Sequence, residues 1–139
     1  MKTFNEGWLR VIDANLNRLR EAIRVVEDLC RYVFDDAAIA KSLKTLRHKA
    51  RSALYDECLN SRDSDADVLR PTLPQENARN GAKSVFIANF KRAQESARVL
   101  EEALKIDDPQ ESEIFKSIRY ELYSLEKLTL EKYAGKLTA

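Results

Sequence analysis

Residues 14–28 read ANLNRLREAIRVVED, and residues 88–102 read ANFKRAQESARVLEE. Both fit A-N-x-x-R-x-x-E-x-x-R-V-[V/L]-E-[D/E], displaced by 74 positions. A second correspondence follows at a displacement of 72, between LKTLRH at 43–48 and FKSIRY at 115–120. Amphipathic helices share apolar spacing, but they do not by chance share an asparagine and the same arginines at the same phases. The expected fold is therefore all-α, a bundle of four long helices built from two duplicated helical hairpins. The repeated polar residues are the first candidates for chemistry.

The apolar spacing predicts a first helix over about 8–34, with Val11, Ala22, Val25, Val26, Leu29 and Val33 on its buried stripe and Asn5 as N-cap. Asp35-Asp36 interrupts it. A second helix is expected over 37–59, with Ile39, Leu43, Leu46, Ala50 and Leu54 inward, and a third over 84–106. Asp107-Asp108-Pro109 ends the third and starts a fourth, with Asp108 as N-cap, Pro109 at N1 and Glu111 at N3, running to about 133. The whole of 1–139 reads as one helical domain: a first repeat over about 8–59, a connection over 60–82 and a second repeat over about 83–134. Within the connection, Thr72-Leu73-Pro74-Gln75 resembles a capping box that opens a short turn closed by Gly81. A connection of this length in a compact domain points to a functional segment.

Charged residues make up 34% of the 139, yet the formal net charge is only +1, so overall charge gives no argument for nucleic acid or an anionic membrane, and neither is expected as a partner. No apolar run approaches the length of a membrane span, and the first eight residues lack the pattern of a signal peptide. The expected location is cytoplasmic. Cys30 and Cys58 lie far apart without metal-ligand spacing and read as reduced, packed thiols, and His48 reads as a helix-surface residue.

At 100° per residue, Asn15 falls on the buried stripe of the first helix and Arg18 on its flank, and Asn89 and Arg92 repeat that placement. Arg47 and Arg119 fall inside the stripes of the second and fourth helices. Arg24 and Arg98 point towards solvent. Buried guanidinium groups need partners, and Glu57 and Glu126 are the expected ones. Two arginines are then left over, an arrangement that suits a phosphorylated small molecule, because the planar guanidinium matches phosphate oxygens. A salt-bridge network that only fixes helix register is the competing reading. In the connection, Asp63, Asp65 and Asp67 are alternately spaced carboxylates of the kind that hold Mg²⁺ together with substrate phosphates. Arginines for phosphoryl oxygens and carboxylates for Mg²⁺ are the parts that phosphoryl transfer needs, and no Walker A or glycine-rich phosphate loop is present.

Taken together, ANLNRLREAIRVVED, LKTLRH, SRDSDAD, ANFKRAQESARVLEE and IRYELYSLEKL resemble the small helical hydroxymethylpyrimidine-phosphate kinase of thiamine biosynthesis, over about residues 9–128. That domain occurs alone or fused in front of thiamine-phosphate synthase. The resemblance implies transfer of the ATP γ-phosphoryl group to hydroxymethylpyrimidine phosphate, with Mg²⁺, and rejection of the unphosphorylated alcohol. The matching positions are Asn15, Arg18, Glu21, Arg47, Arg62, Asp63, Asp67, Glu76, Arg79, Asn89, Arg92, Glu95, Arg119 and Tyr120. Leu69 departs from the family, which often has a glycine there.

On this reading Asn15, Arg18, Arg47, Asn89, Arg92 and Arg119 bind substrate and nucleotide phosphates. Arg62, Arg92 and Asp63 carry the catalytic roles, and Asp63 and Asp67 hold the metal. Thiamine-phosphate synthase is a possible partner, and Trp8, Tyr32 and Tyr55 suit the interface of a homodimer. Two other readings stand beside it. One is a non-catalytic helical module that binds a phosphorylated metabolite or docks on a thiamine-biosynthesis enzyme. The other is a helical mutase acting on a dicarboxylate.

Overall fold

The computed structural model describes residues 5–72 and 78–137. Among these the fold is all-α, with five α-helices and no strand: α1 (Glu6–Asp28), α2 (Ala37–Lys49), α3 (Tyr55–Ser61), α4 (Ala82–Leu104) and α5 (Pro109–Lys132). Helix α4 packs along α1 on one side and α5 on the other, while α2 covers α1 and touches α5. The core lies between them. Its largest fully buried side chains include Phe86, Phe90 and Phe115, and each full burial contributes roughly 1.5–3 kcal/mol relative to exposure. Residues 73–75 of the expected capping box, and Glu76, fall outside the described residues.

Local chemistry explains most of the helix ends. The Asn5 side chain accepts a hydrogen bond from Trp8 N at 2.9 Å and starts α1. The two Asp-Asp breaks work alike: Asp36 Oδ1 accepts from Ile39 N at 3.0 Å and Asp108 Oδ1 from Glu111 N at 3.1 Å. Asp35 has φ 50°, a left-handed conformation that aspartate tolerates better than most residues, and so turns the chain before the cap. Gly81, at φ 142°, precedes α4 in backbone space that favours glycine. Ser84 Oγ donates to its carbonyl at 2.9 Å.

Two features break the symmetry of the repeats. Between α1 and α2 the chain makes a π-helical turn, Leu29–Val33, in which Phe34 N donates to Leu29 O at 3.1 Å. This turn absorbs the two residues by which the first repeat exceeds the second. It also delivers Phe34, whose ring stacks on Tyr133 at 4.3 Å and on Phe86 at 5.8 Å.

The second feature corrects the expected helix over 37–59. It stops at Lys49, and the chain restarts as α3 after a turn in which Leu54 N donates to Ser52 Oγ at 3.1 Å. No glycine or proline marks the break. The bend keeps Ala50, Leu54 and Cys58 all in the core, so tertiary packing sets it rather than propensity. The phase of α1 is also rotated from the expected stripe. Ile12, Leu19, Ile23, Val26 and Cys30 are buried, whereas Val25 and Val33 are exposed. Trp8, Tyr32 and Tyr55 are exposed as well.

Candidate functional site

The repeat is kept at the level of single contacts. Asn15 Nδ2 donates to Val11 O at 2.9 Å, and Asn89 Nδ2 donates to Val85 O at 2.9 Å. Both asparagines thus use their amide within their own helix. Arg47 Nε and Nη2 donate to Glu27 at 2.7 and 3.2 Å, and Arg119 Nε and Nη2 donate to Glu101 at 3.0 and 2.8 Å. Glu27 and Glu101 are repeat equivalents, as are the two arginines.

These partners correct the expected ones. Glu57 is exposed, and Glu126 Oε1 accepts from Gln94 Nε2 at 2.9 Å and Lys91 Nζ at 3.2 Å. Arg47 is raised above its ordinary range first by its hydrogen bond to Glu27, and Arg119 by its bonds to Tyr123 and Glu101. Two of the four repeated arginines are therefore committed to buried carboxylates, with Glu27 and Glu101 at 1% and 5% side-chain exposure.

The other two behave differently. Arg18 and Arg92 are exposed rather than inward, and neither has an ion-pair or hydrogen-bond partner among the described residues. From α1 and α4 they line one polar cavity of about 580 Å³. The connection supplies the rest of its wall: Ser64, Asp65, Asp67, Leu69, Arg70 and Thr72. Residues 74 positions apart in the chain thus meet the charged loop at a single place. Arg70 and Asp65 pair loosely at 3.5 Å, both largely exposed.

The loop is arranged by its own side chains. Arg62 is pinned, its Nε and Nη2 donating to Asp13 at 2.8 and 2.7 Å. Asp63 caps the 3₁₀ turn Ser64–Ala66 by accepting from Ala66 N at 3.3 Å, and it does not line the cavity. Asp67 does line it, with Oδ1 accepting from Leu69 N at 3.0 Å. Of the sequence candidates, the structure brings Arg18, Arg92 and Asp67 together. It leaves Arg47, Arg62, Asp63, Arg119, Asn15 and Asn89 outside this cavity.

Sequence reasoning passed over Asp13 and Arg70, and read Thr72 only as part of a capping box. Arg70 was findable, since it is the next arginine after Arg62 in the one charged connection. The fit to a divalent cation rests on the donors. Asp65, Asp67 and two hydroxyls are hard oxygen ligands, few enough to leave Mg²⁺ its waters and substrate phosphates. Among the described residues no cluster of three or more His, Cys, Asp or Glu side chains forms a cage of its own.

Comparison with known proteins gives a family. The model described as "ThiD2 family" matches residues 10–128. The chain is 40% identical over 130 residues to a thiamine-phosphate synthase of Thermosynechococcus vestitus, covering 92% of this chain and 37% of that protein. It is 40% identical over 118 residues to a thiamine-phosphate synthase of Nostoc punctiforme, covering 84% and 34%. A third, from Synechocystis sp., is 38% identical over 118 residues, covering 84% and 34%. The chain thus spans about a third of the length of these curated relatives. No solved structure matches it. Among the described residues no helix is long and apolar enough to cross a membrane.

Proposed function

The chain belongs to the ThiD2 family, and on that premise we propose that it phosphorylates hydroxymethylpyrimidine phosphate to the diphosphate, using ATP and Mg²⁺, in thiamine biosynthesis. The observation that carries this reading is the contrast among the arginines. Arg47, Arg62 and Arg119 are satisfied by carboxylates of the chain itself, whereas Arg18 and Arg92 are unpaired among the described residues and share a cavity with Asp65 and Asp67. Exposed cations brought together with no ion pair of their own suit an anionic ligand. The names of the relatives support a place in thiamine synthesis, where the diphosphate would be the species consumed next.

In this mechanism Arg18 and Arg92 bind the substrate phosphate and the γ-phosphoryl group and bring them into line. Arg70 would leave Asp65 to join them, and Asp65 and Asp67 would then hold the cation. Mg²⁺, when bound with the nucleotide, supplies charge neutralisation at the phosphoryl oxygens. An oxygen of the substrate phosphate attacks the γ-phosphorus, the bond from that phosphorus to the β,γ-bridging oxygen breaks, and ADP leaves. A phosphate monoester is already largely ionised at neutral pH, so no base has to remove a proton. Positioning and charge carry the rate. A substrate lacking the phosphate would leave an arginine unmatched, which gives discrimination between the phosphate and the free alcohol.

A second reading is a non-catalytic module that binds the phosphorylated metabolite for a synthase. It draws support from relatives in which the matching region is only about a third of a longer protein. Turnover separates the two. Purified protein with ATP, Mg²⁺ and hydroxymethylpyrimidine phosphate should release ADP and the diphosphate in equal amounts. Saturable binding of hydroxymethylpyrimidine phosphate without ADP release would leave the module reading standing and remove the kinase.

A further inference from the structure

A second cavity, of about 590 Å³, lies between the end of α1 and the exposed face of α2, and shares no lining residue with the cavity of Arg18 and Arg92. We infer that it binds a phosphorylated small molecule carrying two or more negative charges, at a site separate from the one where Arg18 and Arg92 meet.

The first support is charge. Arg31, Lys41, Lys44 and His48 line the cavity, and none of them has an ion-pair partner among the described residues. The Arg31 guanidinium rests over the Tyr32 ring at 5.0 Å. Of the two acids in the lining, Glu27 is already matched by Arg47 at 2.7 Å, which leaves Asp35. The cations therefore exceed the free acids. Concavity favours a small ligand over a flat anionic surface such as a membrane or nucleic acid. Ala37 and Ala40 add apolar lining on which the non-phosphate part of a ligand can lie.

The second support is independent, and comes from comparing the two copies. Helices α2 and α5 are repeat equivalents, so the features they share are those the packing requires. The Arg47–Glu27 and Arg119–Glu101 pairs are of that kind. The basic face is shared only in part, since Lys44 matches Lys116. Helix α2 carries Lys41, Lys44, Arg47, His48 and Lys49 with no acid, while α5 has Glu113 where α2 has Lys41 and Tyr120 where α2 has His48. The π-helical turn that holds Arg31 also occurs in the first copy only. Such turns recur at functional sites, and here the insertion and the charge change meet at one cavity.

The experiment is a titration of the isotope-labelled full chain with inorganic pyrophosphate, followed by amide chemical shifts. The expected result is saturable shifts over 29–49. Exchanging Lys41→Glu and His48→Tyr imports the residues that α5 already carries at these exposed places. It should weaken the binding by at least about tenfold, the scale of a lost charge-assisted contact. Lys44→Ala, a milder change on the same face, should weaken it in the same direction. Arg92→Ala should leave these shifts unchanged, which separates this site from the proposed kinase site whatever becomes of that reading. Shifts confined to the surroundings of Arg18 and Arg92, or wild-type affinity in the double variant, would overturn the inference. So would equal shifts with chloride at matched ionic strength, which would reduce the cavity to a counter-ion atmosphere.

Discussion

Arg62 reaches back 49 positions to Asp13 and closes a two-pronged pair with it, at 2.7 and 2.8 Å. Asp13 is buried in α1 and also accepts from Asn17 Nδ2 at 3.3 Å. The charged connection is therefore anchored immediately before it enters the cavity. Replacing Asp13 with Ala should speed amide exchange over 62–72 while α4 and α5 keep their protection. Arg62→Ala should do the same, and the two changes together should do no more than either alone. Additive effects would show that the loop is held elsewhere.

The repeated arginines should separate into two classes under mutation. Arg47→Met or Arg119→Met leaves Glu27 or Glu101 buried without its counter-charge, at an expected cost of about 3 kcal/mol in urea unfolding. Arg18→Ala and Arg92→Ala, both exposed and unpaired, should change stability by less than about 0.5 kcal/mol. If the proposed kinase reaction holds, each should nevertheless lower kcat/KM by well over about tenfold. A stability loss at Arg92 as large as that at Arg119 would remove the distinction.

Acid should reveal the Asp36 cluster. The backbone N–H of Ile39, then Lys132 Nζ and the Tyr133 hydroxyl, hold the Asp36 carboxyl down from 3.8 to about 2. A carboxylate whose folded pKa is depressed contributes stability above its unfolded pKa and loses it as pH falls through the folded value. The unfolding midpoints of wild type and Asp36→Asn should therefore differ by a constant amount above about pH 4 and converge between pH 4 and pH 2. A gap that stays constant down to pH 2 would show that the contacts of Asp36 do not depend on its charge.

The two thiols should be inert in the folded chain. Burial, with Asp36 adding to it, pushes Cys30 up to about 12, and burial with Asp13 pushes Cys58 up to about 11. At pH 8 an alkylating reagent should label neither until the chain is unfolded, because the thiolate is the reacting form. Rapid labelling of Cys58 alone would indicate that α3 opens locally.

Legibility in the sequence followed the range of the interaction. The caps at Asn5, Asp36 and Asp108 act over three residues and could be read directly. The burial of Leu43, Leu46, Phe115 and Ile118 follows from helical spacing. The break after Lys49 could not be read, since it answers to where Ala50, Leu54 and Cys58 find core. At the stripe edges, a phase error of one position sufficed to misplace Val25 and Val33. The partners of Arg47 and Arg119 were legible in principle. Glu27 and Glu101 sit inside the repeated motif, and two carboxylates conserved between copies imply a shared packing role. The Asp13–Arg62 pair, with no counterpart in the second repeat, offered no such signal.

Arg18 and Arg92 occupy matched places in two copies of one helix, so as donors they are interchangeable. A ligand with an anionic group at each end, held by them alone, could lie either way round. The segment bearing Asp65, Asp67 and Arg70 occurs once, and it approaches that pair with chemistry of its own. If the proposed kinase reaction holds, it is this segment that tells the two ends of a bound molecule apart. The polarity of such a site, its distinction between donor end and acceptor end, would then reside in the one stretch of chain that duplication did not copy.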